Sequence, residues 1–408
     1  MNQHAARENR RAEASPADRD GAAQKQRVQV IDAVRAAALF GVAVMNLRAM
    51  SGLEWMTPDQ WAAVSDGLDR VVHHGLMILV DAKALSAFSF LFGLSFSIML
   101  AHGGDDRRAF LFLYARRLVM LATFGVVNFT LLFWGDILID YAVLGALLLP
   151  FAFLPRRAVL VLAGLLLAGV PLAIAAFAPL PPGGEDTSAV GDTAEAAALR
   201  LYATGTYAEV VAHNVHRYFA LSDSLPVLNV WYLTNIFGLF LLGLWTGRGR
   251  IPQTLDRHRT LLVRTAWVGL GLGLPLAAVN GLLVGGDMPR LYRATLVGIP
   301  LLALGLIAGG TLWMERRGGS GLRAAMAPAG QMALTNYLAI GALGQLYFHA
   351  YGLGLLGRVG AAEVLGLAVV GYAALVGFSH LWLRRFRRGP AEWLWRTVTK
   401  LRVEPLRR

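Results

Sequence analysis

Ten stretches of mostly apolar residues, each about 20 residues long, run through this chain of 408 residues. An α-helix of that length crosses the hydrocarbon core of a bilayer. The composition agrees, since 56% of the residues are hydrophobic and only 16% are charged. The sequence therefore predicts an all-α fold, a polytopic membrane helix bundle with about ten transmembrane helices. The stretches are 31–49, 76–101, 112–133, 137–154, 157–179, 227–246, 261–284, 292–313, 331–350 and 362–383.

The second stretch is the irregular one. Its apolar character extends back to Val71, and it is interrupted by Asp81 and Lys83. The pattern predicts a broken helix, a re-entrant segment or a long tilted helix.

The distribution of positive charge predicts the orientation of the bundle. With the N-terminus placed inside, 30 of the 38 Lys and Arg residues fall in the inner segments. This asymmetry follows the positive-inside rule, so both termini are expected in the cytoplasm and the number of spans is expected to be even. It also accounts for the net charge of +12 without a nucleic-acid partner.

The segments outside the bundle 30–383 differ in composition. Residues 1–29 are polar and are expected to form a disordered cytoplasmic tail without a secretory signal. The outer loop 180–226 carries apolar residues at helical spacing and is expected to form amphipathic surface helices. Residues 384–408 are basic and rich in Trp, which predicts binding to membrane lipid headgroups or, alternatively, an inner pocket for a phosphate-bearing ligand.

The first helix carries polar groups at both ends of an apolar stripe. Asp32 and Arg35 lie at its inner boundary, where they can form an ion pair, and Asn46 lies eleven positions after Arg35. That spacing returns to the same helix face after a rise of roughly 16 Å. Polar groups in lipid are expensive and usually face a bundle interior or a cavity, although interhelical hydrogen bonding is the simpler alternative for Asn46.

The third and fourth helices repeat this arrangement. Arg116 and Arg117 begin the third at the inner surface, and Asn128 falls at a depth similar to that of Asn46. Asp136 and Asp140 are four apart and share a face of the fourth helix, so they are candidates for an acid/base pair. The simpler alternative is that Asp136 caps the helix while Asp140 bonds a neighbouring Tyr or Arg.

Other polar residues are candidates on weaker grounds. His73 and His74 are neighbours that face apart on a helix, so either is a possible outer-face base but a shared metal is not expected. Asp81 and Lys83 at the outer side, and Asn336 at the inner side of the ninth stretch, are candidate substrate-binding residues.

Several function classes lack their signatures. The chain has no Cys, no Walker A loop, no dinucleotide fingerprint and no HExxH motif. Nucleotide hydrolysis, nicotinamide chemistry, zinc proteolysis and a bound metal are therefore not predicted.

Five motifs carry a family resemblance: IDAVRAAALFGVAVMN, KALSAFSFLFGLSF, RRLVMLATFGVVNFTLLFWGDILIDYAVLG, AGQMALTNYL with the downstream YGLGLLG, and LRRFRRGPAEWLWR. The chain resembles the YeiB-type family of bacterial membrane proteins, long classed as of unknown function, over nearly all its spans. YeiB-type proteins are more distantly similar to transmembrane acyltransferases. The resemblance implies a location in the bacterial plasma (inner) membrane.

The resemblance also implies roles for particular residues. Arg35 would lie near an acyl-CoA at the inner side, and Asn46 near an acceptor at the outer side. Where YeiB-type relatives usually carry a His in the third helix, this chain has Asn128. Acid/base chemistry would then have to come from Asp136 or from His73 or His74.

The leading hypothesis is transfer of an acyl group from a cytoplasmic acyl-CoA-type donor to a periplasmic or outer-leaflet acceptor, with no tightly bound cofactor. Arg35, Arg116 and Arg117 would hold the donor's phosphates. The alternatives are a transporter or lipid-translocating protein that uses the same polar stripe as a path, and a non-catalytic binding scaffold. The expected partners are membrane lipids and a small-molecule or lipid substrate. Asn46, Asp136 and either His73 or His74 would face the acceptor. The candidate substrate-binding residues are Asn46, Asp81, Lys83, Asn128, Asp140 and Asn336.

Overall fold

The computed structural model of the protein describes residues 16–56, 58–103, 106–179, 192–224, 226–283 and 288–408. Helices fill most of these ranges, and the one β pairing within them is an isolated bridge between Phe386 and Arg407. The prediction of an all-α polytopic helix bundle is confirmed.

The helices are numbered in chain order. The first half contains α1 (Pro16–Met50), α2 (Pro58–Val64), α3 (Gly67–Leu79), α4 (Lys83–Ala101), α5 (Arg107–Leu131), α6 (Leu138–Phe151) and α7 (Arg156–Phe177). The second half contains α8 (Asp192–Thr204), α9 (Tyr207–Ser224), α10 (Pro226–Arg248), α11 (Arg259–Leu282), α12 (Pro289–Glu315), α13 (Ser320–Gln331), α14 (Ala333–Phe348), α15 (Ala361–Arg385) and α16 (Pro390–Lys400).

Eight helical segments of the described chain are long and apolar enough to cross a membrane. Each overlaps one of the predicted stretches. The two remaining stretches, 137–154 and 331–350, contain the shorter helices α6 and α14. The basic end of the bundle carries residues 384–408, and the opposite end carries α8 and α9.

Helix α1 lies at the centre of the bundle and packs against α4, α13, α14 and α15. Several of its small and branched side chains are completely enclosed, among them Ala36, Leu39 and Ala43, each with no exposed area. Small residues at such contacts let helix backbones approach closely in lipid. The helix begins at Pro16, within the stretch 1–29 predicted as a tail, and residues 1–15 lie outside the described residues.

The second predicted span is a broken helix, which is one of the three alternatives that the sequence predicts. Helix α3 ends at Leu79, and Ala82 has φ 55°, a left-handed conformation that an α-helix of L-residues does not continue through. Lys83 then starts α4, and its Nζ donates a 2.7 Å hydrogen bond back to the carbonyl of Met77. The ammonium thus satisfies a carbonyl at the end of α3 that the break leaves without a helical partner.

Helices α4 and α10 pack with their backbones in close contact. A Cβ on Gly93 would lie 2.0 Å from the carbonyl oxygen of Phe240, and one on Gly243 would lie 2.2 Å from that of Phe90. Only glycine allows the two backbones to approach so closely at both positions.

The segments outside the membrane-spanning helices also fold. Within the predicted outer loop 180–226 the structure has α8 and α9, and α9 packs on the end of α5, where the Tyr207 hydroxyl donates to the carbonyl of Leu131 at 3.0 Å. Residues 180–191 and 225 lie outside the described residues. At the other end, α16 packs on the start of α5, and the Trp395 indole donates to the carbonyl of Arg117 at 3.0 Å.

Candidate functional site

A cavity of about 740 Å³ penetrates the bundle from its basic end. Its interior is lined by enclosed residues such as Leu39, Tyr141 and Tyr337. Its mouth is lined by exposed or half-exposed cationic residues from residues 384–408. We call it the basic cavity. The cations that line it are Arg35, Arg117, Arg387, Arg388, Arg396 and Lys400, and the acids are Asp32 and Glu392.

Arg35 lies in the wall of the basic cavity and forms the predicted ion pair. Its Nη1 is 2.8 Å from Asp32 Oδ1 and 3.3 Å from the carbonyl oxygen of Gly330. Gly330 is required there, since an added Cβ would lie 1.8 Å from the carbonyl oxygen of Asp32. Asp32 therefore compensates one of the two deep cations of the basic cavity.

Arg117 is the second deep cation and has no carboxylate within salt-bridge distance in the described part of the chain. Its guanidinium lies 4.5 Å from the centroid of the Trp395 ring, and Nη1 is 3.9 Å from Met99 Sδ. A guanidinium held this way is available to an anionic ligand. Arg116, by contrast, lines neither this cavity nor the second one described below, so the structure separates two residues that the sequence grouped.

Glu392 joins the C-terminal helix to the bundle at the cavity mouth. Its Oε1 accepts from the backbone N–H of Leu334 at 2.7 Å and of Thr335 at 3.0 Å, and its Oε2 accepts from the Thr335 hydroxyl at 2.6 Å. The carboxylate thereby caps the start of α14 from a distant helix. Burial raises the pKa of Glu392, partly offset by these hydrogen bonds.

A second cavity of about 320 Å³ lies towards the opposite end. Asn46 and Asp81 both line it, beside Trp231, Tyr232 and Asn280. We call it the opposite cavity. Among the described residues that line it, Asp81 is the one that carries a charge. The structure thus brings together Asn46 and Asp81, two of the predicted substrate-binding residues.

The two cavities meet at two residues. Val42 of α1 and Ile137, which precedes α6, each line both the basic and the opposite cavity. Apolar side chains therefore form the partition between a cation-lined chamber and a chamber lined by amides, a carboxylate and aromatic rings.

Asp136 adjoins this partition and lies in the connection 132–137, outside the spanning helices. Its Oδ2 accepts from the backbone N–H of Leu138 at 2.8 Å and of Ile139 at 3.0 Å, which caps α6 as the simpler alternative predicted. Its Oδ1 accepts from Asn128 Nδ2 at 3.0 Å. Burial raises the pKa of Asp136 to about 6, because no cation compensates the carboxylate.

Tyr337 connects Asp136 to the basic cavity. Its hydroxyl is 3.5 Å from Asp136 Oδ1 and 3.4 Å from Asn128 Nδ2, and its ring lines the cavity. Asp140 does not join this cluster, since it accepts a 3.1 Å hydrogen bond from the Tyr232 hydroxyl. The two aspartates therefore have different partners, and Asp136 lines neither cavity directly.

The remaining predicted residues lie elsewhere. His73 and His74 line neither cavity, and their rings pack against each other with centroids 5.3 Å apart. Asn336 donates to the carbonyl of Ala329 and to Ser379 Oγ, so it joins helices α13 and α15. Lys83 is committed to the end of α3. In the described chain, no cluster of His, Asp and Glu suits a metal.

Sequence reasoning did not single out four residues that the structure places at the site: Tyr141, Tyr232, Tyr337 and Glu392. Tyr337 and Glu392 occur in the motifs TNYL and GPAEW, but hydropathy and spacing carry no signal that they meet helices far away in the chain.

The fold and cavities define a polytopic α-helical membrane protein with two internal chambers. Residues 246–402 match the family described as "Protein of unknown function (DUF418)". The chain is 30% identical over 404 residues to "Uncharacterized protein YxaH" of Bacillus subtilis, covering 93% of this chain and 96% of that protein. It is 28% identical over 390 residues to "Uncharacterized protein YeiB" of Escherichia coli, covering 92% and 96%. The chain belongs to this YeiB-type family.

Proposed function

We propose that the protein transfers an acyl group from an acyl-CoA-type donor in the basic cavity to an acceptor in the opposite cavity. The proposal places it in the bacterial plasma (inner) membrane, with the basic end in the cytoplasm. The acceptor would then be periplasmic or in the outer leaflet. The meeting of the two cavities at Val42 and Ile137 is the observation that carries the proposal.

The basic cavity suits an amphipathic anion. Its cations are the mouth residues together with Arg35 and Arg117 in the wall, whereas the apolar residues Leu39, Phe92 and Leu138 line the interior. Phosphate groups would bind Arg117, Arg35 and the mouth residues, because Arg forms strong bidentate hydrogen bonds to phosphate. The acyl chain would occupy the apolar interior, with its reactive end near the partition.

The chemistry is a thioester aminolysis or alcoholysis. The acceptor's N–H or O–H nucleophile attacks the thioester carbonyl carbon, a new C–N or C–O bond forms, and the C–S bond breaks. The nucleophile's proton passes through the Tyr337 hydroxyl to Asp136 and then protonates the leaving thiolate. Tyr337 is the group at the cavity wall, and Asp136 acts through it.

The adjacent arginines provide the test. Arg117→Ala is expected to weaken binding of palmitoyl-CoA to the purified protein by tenfold or more, because a charge-assisted hydrogen bond contributes about 1.5–3 kcal/mol. Arg116→Ala removes the same charge one residue away, outside both cavities, and is expected to leave the dissociation constant unchanged. Equal effects of the two variants, or no binding by the native chain, would contradict the proposal.

One observation favours a second candidate, translocation of an anionic lipid or amphipath. Both oxygens of Asp136 accept hydrogen bonds from the protein and Asp136 lines neither cavity, so this carboxylate is not in direct reach of a substrate nucleophile. A translocator predicts movement of a labelled lipid across proteoliposomes without any acyl donor. Acyl transfer predicts that the labelled acyl group leaves CoA and appears on the acceptor.

A further inference from the structure

Residues 401–408 fold back onto the segment 385–393, which carries part of the mouth of the basic cavity. The backbone N–H of Arg387 donates to the carbonyl of Leu406 at 2.9 Å, and that of Arg408 donates to the carbonyl of Arg385 at 3.2 Å. The Trp393 indole donates to the backbone carbonyl of Glu404 at 2.8 Å. These three contacts fix the position of Glu404 without using its side chain.

The carboxylate of Glu404 contacts three cations at once. Lys400 Nζ is 2.5 Å from Oε1, Arg396 Nε is 3.2 Å from Oε2, and Arg388 Nε is 3.4 Å from Oε2. The same three cations line the basic cavity. The hydrogen bond from Lys400 lowers the pKa of Glu404, so the carboxylate is ionised at neutral pH.

One carboxylate does not satisfy this group of cations. Arg388 and Arg396 reach Glu404 through Nε, and their terminal guanidinium nitrogens have no hydrogen-bond partner in the described part of the chain. A further cavity of about 550 Å³ borders Glu404, and two more cations line it, Arg387 and Arg402. Glu404 thus contacts three cations, and two further cations line the cavity that it borders.

We propose that Arg388, Arg396 and Lys400 form a phosphate-binding site at the mouth of the basic cavity, and that Glu404 occupies it as a built-in competitor. A phosphate group has more acceptor oxygens and up to twice the charge of a carboxylate, so it can engage the free guanidinium nitrogens as well as the ammonium. Binding of phosphate then requires the Glu404 side chain to leave.

The ligand class is a phosphate-bearing molecule, whether soluble or a lipid headgroup. The inference rests on the proposed function for the placement of a donor's head at this mouth. Phosphate binding at the mouth is nevertheless measurable without an acyl group, so the two can fail separately. If removal of the Glu404 charge strengthens phosphate binding but the protein transfers no acyl group, the proposed function is refuted and this inference stands.

The test is titration of inorganic pyrophosphate into the full-length protein in phosphatidylcholine nanodiscs, followed by calorimetry. Glu404→Gln keeps the size of the side chain and the backbone contact with Trp393 but removes the competing charge. We expect pyrophosphate to bind this variant about tenfold more tightly than the native chain. An unchanged or weaker affinity would overturn the proposal, because a purely structural ion pair predicts loss of order at the mouth.

A matched control and a second variant complete the test. Glu363→Gln makes the same change at the start of α15, where Glu363 accepts from the backbone N–H of Gly360, and it is expected to leave pyrophosphate binding unchanged. Arg388→Ala with Arg396→Ala is expected to abolish binding, and retention of binding would also overturn the site.

Repeating the Glu404→Gln titration with phosphatidic acid in the nanodiscs distinguishes a soluble ligand from a lipid headgroup. Weaker binding of pyrophosphate in the presence of phosphatidic acid indicates that the site takes a lipid headgroup. Undiminished binding of pyrophosphate indicates a soluble ligand.

Discussion

At the scale of single residues, the proposed proton transfer depends on Asp136 and Tyr337. Asp136 accepts two backbone hydrogen bonds at the start of α6 and a third from Asn128, so its position is fixed. Its remaining contact, at 3.5 Å, is the Tyr337 hydroxyl at the wall of the basic cavity. A carboxylate without a compensating cation, with a pKa of about 6, is suited to exchange a proton near neutral pH.

Removal of the Tyr337 hydroxyl should therefore separate binding from turnover. Tyr337→Phe is expected to lower the rate of acyl transfer by about 10²–10⁴-fold, the usual range for loss of acid/base assistance, with little change in palmitoyl-CoA affinity. The measurement is single-turnover release of the labelled acyl group from CoA.

Tyr372→Phe is the matched control for that experiment. It removes a buried Tyr hydroxyl that donates to the carbonyl of Ala36 and lines neither cavity, so transfer should continue at the native rate. A native rate in Tyr337→Phe as well would remove the proton-transfer role and favour translocation.

Part of the residue-level arrangement is predictable from the sequence. The Asp32–Arg35 pair and the capping role of Asp136 follow from local spacing. Which of Arg116 and Arg117 lines the basic cavity does not follow from local spacing. Neighbouring residues point about 100° apart on a helix, and only the packing partner decides which one faces a cavity. Here that partner is Trp395, more than 270 residues away in the chain.

At the scale of elements, the attachment of α16 to α14 determines the shape of the basic cavity. Glu392 bonds two backbone N–H groups and one hydroxyl at the start of α14, which holds Trp395 over Arg117. The contact places the cationic mouth residues around one opening.

This attachment predicts a pH dependence of stability. Burial raises the folded-state pKa of Glu392 above its unfolded value of about 4.3, so its protonated form is favoured in the folded protein. Its contribution to stability is complete below the unfolded pKa and is lost as pH rises through the folded pKa. Glu392→Gln cannot lose a proton, so its unfolding midpoint should fall less than that of the native chain from about pH 4 to about pH 8.

Thr335→Val serves as the opposing control. It removes a hydroxyl that stabilises the Glu392 carboxylate, so the fall in unfolding midpoint with pH should become steeper. Parallel profiles for the native chain and both variants would show that Glu392 does not titrate in the folded protein.

The positions of the long helices follow from hydropathy alone, because each must cover about 30 Å of hydrocarbon. The breaks are harder to predict. Asp81 and Lys83 predict an interruption of the second span, but they do not distinguish a broken helix from a re-entrant segment or a long tilted helix. The left-handed conformation of Ala82 shows that the helix is broken. The boundary between α13 and α14 at Met332 carries no comparable signal, because the helix start is capped by Glu392 from a distant element.

At the scale of the whole molecule, the arrangement is two chambers of different chemistry on either side of Val42 and Ile137. Charge asymmetry in the sequence indicates which end is basic. The chambers themselves arise from the packing of α1 with α4, α13 and α14, and no local pattern encodes them. The polar stripe from Arg35 to Asn46, and the similar placement of Arg117 and Asn128 on the third predicted helix, are the sequence features that indicate a path between the two ends.

The most direct test of the central claim is a cryo-electron microscopy map of the full-length protein with a non-hydrolysable thioether analogue of palmitoyl-CoA. We expect density for the phosphate-bearing head between Arg117 and the mouth residues Arg388 and Arg396, and for the acyl chain along the cavity to Val42 and Ile137. A head bound at the opposite end, or a basic cavity that stays empty at saturating analogue, would contradict this claim.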